Sequence, residues 1–70
     1  MPLIQVTMIE GRDLATKASL LAELTAAAVS VLEAPAHTVR VIISEVPAAN
    51  WGVEGEPLSI RLKRMQGGQS

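Results

Sequence analysis

The sequence predicts a small α/β (α+β) protein: a β-α-β unit with parallel strands, followed by a C-terminal hairpin. Three observations predict it. Leu3 to Ile9 and Thr38 to Val46 are rich in strand-forming side chains. Between them lies an alanine-rich stretch with apolar residues at three- and four-residue spacing. Two strands joined through a helix of that length run parallel, with a right-handed crossover.

The first strand contains Leu3, Ile4, Val6, Thr7 and Ile9, and Pro2 is tolerated at its start. Glu10-Gly11-Arg12 breaks it, with Gly11 suited to unusual backbone angles. Asp13 then has the right chemistry for a helix N-cap. Leu14, Ala18, Leu21, Leu24, Ala28, Val31 and Leu32 are expected on one face, with Lys17 and Glu23 largely on the other. Six alanines between Ala15 and Ala28 favour the helix. It is expected to stop near Glu33-Ala34, because Pro35 disfavours helical angles in the residue before it. In the second strand Val39, Val41 and Ile43 share one face and Arg40, Ile42 and Ser44 the other. Both faces are largely apolar, which predicts a strand covered on each side. The helix covers one sheet face, and a second copy of the chain could cover the other. Asn50-Trp51-Gly52-Val53-Glu54-Gly55 reads as a tight hairpin. Leu58, Ile60 and Leu62 alternate with polar residues, which predicts a short terminal strand or arm packed on a neighbour. One domain over residues 1–65 and a disordered tail over 66–70 are expected.

Composition narrows the classes. A chain of 70 residues hides only about 60% of its unfolded surface when it folds alone. It has no cysteine, so neither a disulfide nor a thiolate metal site is available, and one histidine argues against structural zinc. No metal and no organic cofactor is expected. Apolar residues make up 49% of the chain, and self-association is the simplest way to bury them. The net charge is −1, with no basic stripe and a single aromatic residue, so no nucleic-acid partner is expected. The apolar stretches are short and interrupted by polar residues, which predicts no membrane span. With no basic region leading into an apolar core at the N-terminus, a cytoplasmic location is expected.

Four residues stand out chemically. Removal of Met1 would leave Pro2 with a free secondary amine, a candidate general base. Arg12 sits in the turn after the first strand. Arg40 interrupts an apolar strand, and its guanidinium needs a partner: Glu10, Glu45, solvent or a ligand. Trp51 is the only aromatic residue, suited to core packing, an interface or a pocket wall. His37 has no cysteine to pair with and sits in a solvated connector.

The order of these features carries a resemblance. Pro2-Leu3-Ile4-Gln5-Val6, Glu10-Gly11-Arg12, a helix, Ala34-Pro35, Thr38-Val39-Arg40-Val41-Ile42-Ile43, Ser44-Glu45 and Trp51-Gly52 closely resemble the 4-oxalocrotonate tautomerase family over about residues 2–62. The resemblance implies an isomerase with an amino-terminal proline base at Pro2. It implies substrate-binding arginines at Arg12 and Arg40 and an aromatic pocket wall at Trp51, where relatives usually carry phenylalanine. It implies a homohexamer, a trimer of dimers, with the site shared between subunits. The implied substrates are 2-hydroxymuconate-like dienol carboxylates, met in the breakdown of aromatic compounds.

The chemistry is simple in outline. Ketonising an enol, or shifting a conjugated double bond, removes one proton and returns one. An amine does this near neutrality when an apolar wall and nearby guanidinium groups disfavour its charged form. Arginine forks match carboxylates, and the resemblance implies that one subunit's Arg12 holds the distal carboxylate while Arg40, from a neighbour, holds the 2-hydroxy acid end and stabilises the developing dienolate. Two alternatives stand beside this. One is an enzyme of the same scaffold acting on a monocarboxylate enol or a haloacrylate. The haloacrylate dehalogenases carry an arginine where Ile9 stands and a hairpin glutamate where Val53 stands, and here Glu54 is one residue later. The other is a non-catalytic oligomerisation module, favoured if Met1 is retained.

Overall fold

The computed structural model describes residues 1–67 of the chain. β1 (Leu3–Ile9) leads through a turn into α1 (Leu14–Leu32), and β2 (Arg40–Val46) returns parallel to β1. A hairpin follows, β3 (Gly52–Val53) with β4 (Glu56–Pro57), and then α2 (Leu58–Gly67). The expected β-α-β unit with parallel strands and a C-terminal hairpin is therefore present. The register aligns Leu3 with Arg40 and Ile9 with Val46. Single 3-10 turns precede β2 (Ala36–Thr38) and β3 (Ala48–Asn50).

Local chemistry explains where α1 starts and stops. Asp13 is extended and its carboxylate accepts the Thr16 amide at 2.8 Å, satisfying one of the free donors of the first turn. Glu33 ends the helix in the left-handed region, at φ 55°. β2 begins two residues later than expected, because Thr38 belongs to the preceding turn. Both its amide and its hydroxyl bond to the Pro35 carbonyl, at 3.0 and 2.7 Å.

The face of α1 turned to the sheet differs from the expected one. Lys17, Leu20, Leu24, Thr25, Ala28 and Val29 are its less exposed residues, whereas Leu14 and Val31 are about four-fifths exposed. Because α1 is apolar almost all round, its periodicity did not select a unique stripe. Lys17 comes inward by bonding Glu45 of β2 at 2.9 Å. By length and composition α1 is also apolar enough to cross a membrane, contrary to the expectation that no segment is. Its polar interruptions are mostly small Thr and Ser residues, with only Lys17 and Glu23 charged.

The C-terminal segment is the second correction. Residues 58–62, expected as a strand, open α2 instead. Leu58, Leu62 and Met65 fit a four-then-three helical spacing, just as Leu58, Ile60 and Leu62 fit a strand alternation. Glu56 decides the matter by pairing with side chains one helical turn apart: Arg64 Nη2 at 2.5 Å and Arg61 Nε at 3.6 Å. Gln66 and Gly67, expected in the tail, fall within α2, and residues 68–70 lie outside the described residues.

Ile4, Val6, Met8, Val41 and Ile43 occupy one parity of the sheet, the side against which α1 packs. On the opposite side Leu3 and Ile42 remain about half exposed. Among the described residues only Ala28 and Val39 are buried. The radius of gyration is 16.4 Å, against about 11 Å for a compact chain of this length. An open apolar trough of about 670 Å³ also runs along the outer side of α1, past Leu21, Ala26 and Val29. The chain alone leaves much of its apolar surface uncovered.

Candidate active site

Two clusters occupy opposite ends of the sheet. At one end Pro2 stands directly before β1, and its carbonyl accepts the Arg40 amide at 3.0 Å. Parallel pairing puts Arg40 beside Leu3, so the topology, not sequence proximity, joins Pro2 to Arg40. The Arg40 guanidinium folds back on its own approach segment. Its Nη1 donates to the His37 carbonyl at 2.7 Å and to the Val39 carbonyl at 3.3 Å. Nε and Nη2 have no protein acceptor among the described residues. Of the carboxylates considered for Arg40, Glu45 instead pairs with Lys17. His37 takes part through its backbone, and its side chain sits in an exposed turn.

At the other end Arg12 and Trp51 line one cleft of about 410 Å³, floored by Thr7, Met8 and Ile9 and flanked by Thr16, Lys17 and Leu20. Gly11, at φ 128°, lets the chain turn sharply between β1 and α1 and so carries Arg12 to the rim. Trp51 reaches the cleft from the segment before β3, and its carbonyl accepts the Leu58 amide at 2.8 Å. A cation and an apolar ring lining one cleft suit a planar carboxylate. The cleft also contains Lys17, a residue the sequence reading placed outward. The available signal was its spacing with Leu20, Leu24 and Ala28, which makes it a charged residue on an inward stripe.

The clusters do not meet within one chain. β1 has seven residues, and at about 3.3 Å per residue it separates Pro2 from Arg12 by roughly 20 Å or more. Pro2 and Arg40 thus form one cluster, and Arg12 and Trp51 the other. Among the described residues no group of three His, Asp or Glu side chains could hold a metal ion.

The scaffold is a β-α-β unit with a C-terminal hairpin, with Pro2 beside Arg40 at one end of the sheet and Arg12 beside Trp51 at the other. The chain belongs to the tautomerase enzyme family, whose model matches residues 2–61. It is 64% identical over 59 residues to a probable tautomerase of Ralstonia nicotianae, covering 84% of each chain. It is 41% identical to the 2-hydroxymuconate tautomerase of Pseudomonas sp. strain CF600, covering 84% of this chain and 94% of that one. Its structural neighbours are 4-oxalocrotonate tautomerases and their homologues. Among them is the heterohexameric enzyme of Chloroflexus aurantiacus, 42% identical with a TM-score of 0.81, covering 84% of this chain and 95% of that one.

Proposed function

We propose that this chain, once Met1 is removed, ketonises 2-hydroxymuconate-like dienol carboxylates with the Pro2 amine as general base. The observation that carries the reading is the pairing of Pro2 with Arg40 at one end of the sheet and of Arg12 with Trp51 at the other. Each half supplies what the other lacks: base and enolate partner in one, carboxylate clamp and apolar wall in the other. The 2-hydroxymuconate tautomerase relative supports the substrate class.

The halves meet if two copies associate so that the Arg12 end of one faces the Pro2 end of another. The half-exposed Leu3 and Ile42, and the trough along α1, offer surface for that contact. The heterohexameric neighbour supports self-association. A homohexamer in the cytoplasm is the assembly and location we assign to this chain.

In the assembled site Arg12 grips the distal carboxylate, and Trp51 excludes water from the conjugated chain. Arg40 turns its free Nε and Nη2 towards the 2-hydroxy acid end. Pro2 takes the hydroxyl proton, Arg40 offsets the charge of the dienolate, and Pro2 returns the proton to carbon. Trp51 and the guanidinium groups disfavour the charged amine, which keeps it available as a base.

Ultraviolet-monitored ketonisation of 2-hydroxymuconate tests the reading, with intact mass establishing loss of Met1. Fast turnover by wild type and its loss in Pro2→Ala is the expected result. No turnover by protein shown to lack Met1 would overturn it.

A further inference from the structure

We infer that Lys17, through its bridge to Glu45, is a positioning residue for Arg12 and so sets affinity for the substrate's distal carboxylate. This rests on the reading above that Arg12 grips that group. The structure closes a ring around the Arg12 turn. Glu10 N–H donates to the Val46 carbonyl at 2.9 Å, anchoring the entry. At the exit the Asp13 carboxylate accepts the Thr16 amide at 2.8 Å, and its carbonyl accepts the Lys17 amide at 3.1 Å. Lys17 Nζ then reaches Glu45 Oε1 at 2.9 Å, and Glu45 is covalently joined to Val46. Both anchors therefore end on adjacent residues of β2.

Only Gly11 and Arg12 lie between the anchors. Gly11 adopts a φ of 128°, where a residue without Cβ meets little steric restraint. Without the Lys17–Glu45 bridge, the first turn of α1 can pivot at Gly11 relative to β2. A small rotation there is amplified along the arginine side chain, and small misplacements of a binding group cost disproportionately. The bridge itself is about a quarter exposed at each partner, and ion pairs with that access to water add little to global stability. Its contribution is to the aim of Arg12. Lys17 also lines the cleft, so a direct contact with substrate is the rival explanation, and the two differ in how they combine with loss of Arg12.

The experiment compares Lys17→Met, Lys17→Arg, Glu45→Gln, Arg12→Ala and Arg12→Ala/Lys17→Met. The readouts are kcat and KM for 2-hydroxymuconate and the Kd of muconate, a non-enolisable dicarboxylate, followed by Trp51 fluorescence. Lys17→Met is expected to raise KM and Kd about 3- to 10-fold with kcat within about twofold, the size of coupling usual between contacting residues. Lys17→Arg restores both, Glu45→Gln shifts both in the same direction, and the double variant binds no more weakly than Arg12→Ala. Wild-type affinity in Lys17→Met would overturn the inference. So would a double variant weaker than Arg12→Ala by the full Lys17→Met factor, because Lys17 would then act independently of Arg12. Unchanged binding in Arg12→Ala would instead remove the reading of Arg12 on which the inference rests, and the inference with it. Should Lys17→Met fail to fold, Glu45→Gln against Arg12→Ala/Glu45→Gln answers the same question.

Discussion

The Arg40 amide donates to the Pro2 carbonyl at 3.0 Å, tying the first residue of β2 to the residue that precedes β1. That bond uses backbone groups alone. It engages neither the Pro2 ring nitrogen nor the Arg40 guanidinium, while fixing the distance between the two segments that carry them.

Arg40→Ala therefore separates activity from stability. Among the described residues its guanidinium bonds only two nearby carbonyl oxygens, those of His37 and Val39, so its loss is expected to change stability by no more than about 0.5 kcal/mol. In its proposed role of offsetting enolate charge, its loss should lower kcat about 100-fold, by analogy with removal of one oxyanion donor. Steady-state kinetics beside thermal melts check this. Comparable losses in both would assign Arg40 to structure.

The hairpin carries a conformational burden at Glu54. Glu54 and Gly55 sit at φ 51° and 85°, the positive angles of a type I′ turn. Asparagine tolerates that region better and β-branched residues poorly. Glu54→Asn should raise the melting temperature slightly. Glu54→Val should lower it by several degrees, the equivalent of roughly 1–2 kcal/mol. Melts at matched protein concentration decide it. The Glu54–Arg61 pair, 3.8 Å apart with the carboxylate 85% exposed, contributes little either way.

Acid should loosen α2 from the hairpin. The hydrogen bonds from Arg64 hold the Glu56 carboxyl below its usual range, despite some opposing desolvation. A carboxyl depressed in the folded state stabilises the fold above its unfolded pKa, and that contribution disappears as pH falls through the folded value. Glu56→Gln should therefore be less stable than wild type near neutrality, and the gap should close below about pH 4. Melting temperatures of both proteins across pH 3 to 7 test the sign. A gap that widens in acid would refute it.

The open sheet face should govern assembly. Ile42 is 48% exposed on the side away from α1. Ile42→Glu puts a charge where the proposed contact between copies must desolvate it, and uncompensated buried charge is strongly unfavourable. Light scattering should show a smaller species with weak or no ketonisation activity. An intact assembly would place the contact elsewhere.

Much of the scaffold was legible in the residues. Strand composition, the Asp13 cap, the stop before Pro35 and the glycines at 11 and 55 are local features with local causes, and the structure carries each of them. The face of α1 and the state of residues 58–62 were not legible. Both patterns fit two periods or several stripes, and the choice was made by partners outside each pattern: Glu45 of β2 for Lys17, and Glu56, just ahead of α2, for Arg61 and Arg64.

The sequence by itself determined the elements, their order and the four candidate residues, because helix caps, turn glycines and side-chain chemistry act over a few positions. Tertiary structure alone decided how those residues are grouped. Parallel pairing sets Pro2 against Arg40 although 37 residues separate them, and the turn and hairpin bring Arg12 to Trp51 at the opposite end. The reason is geometric: a strand is a rigid spacer, so residues at its two ends cannot share a site within one chain.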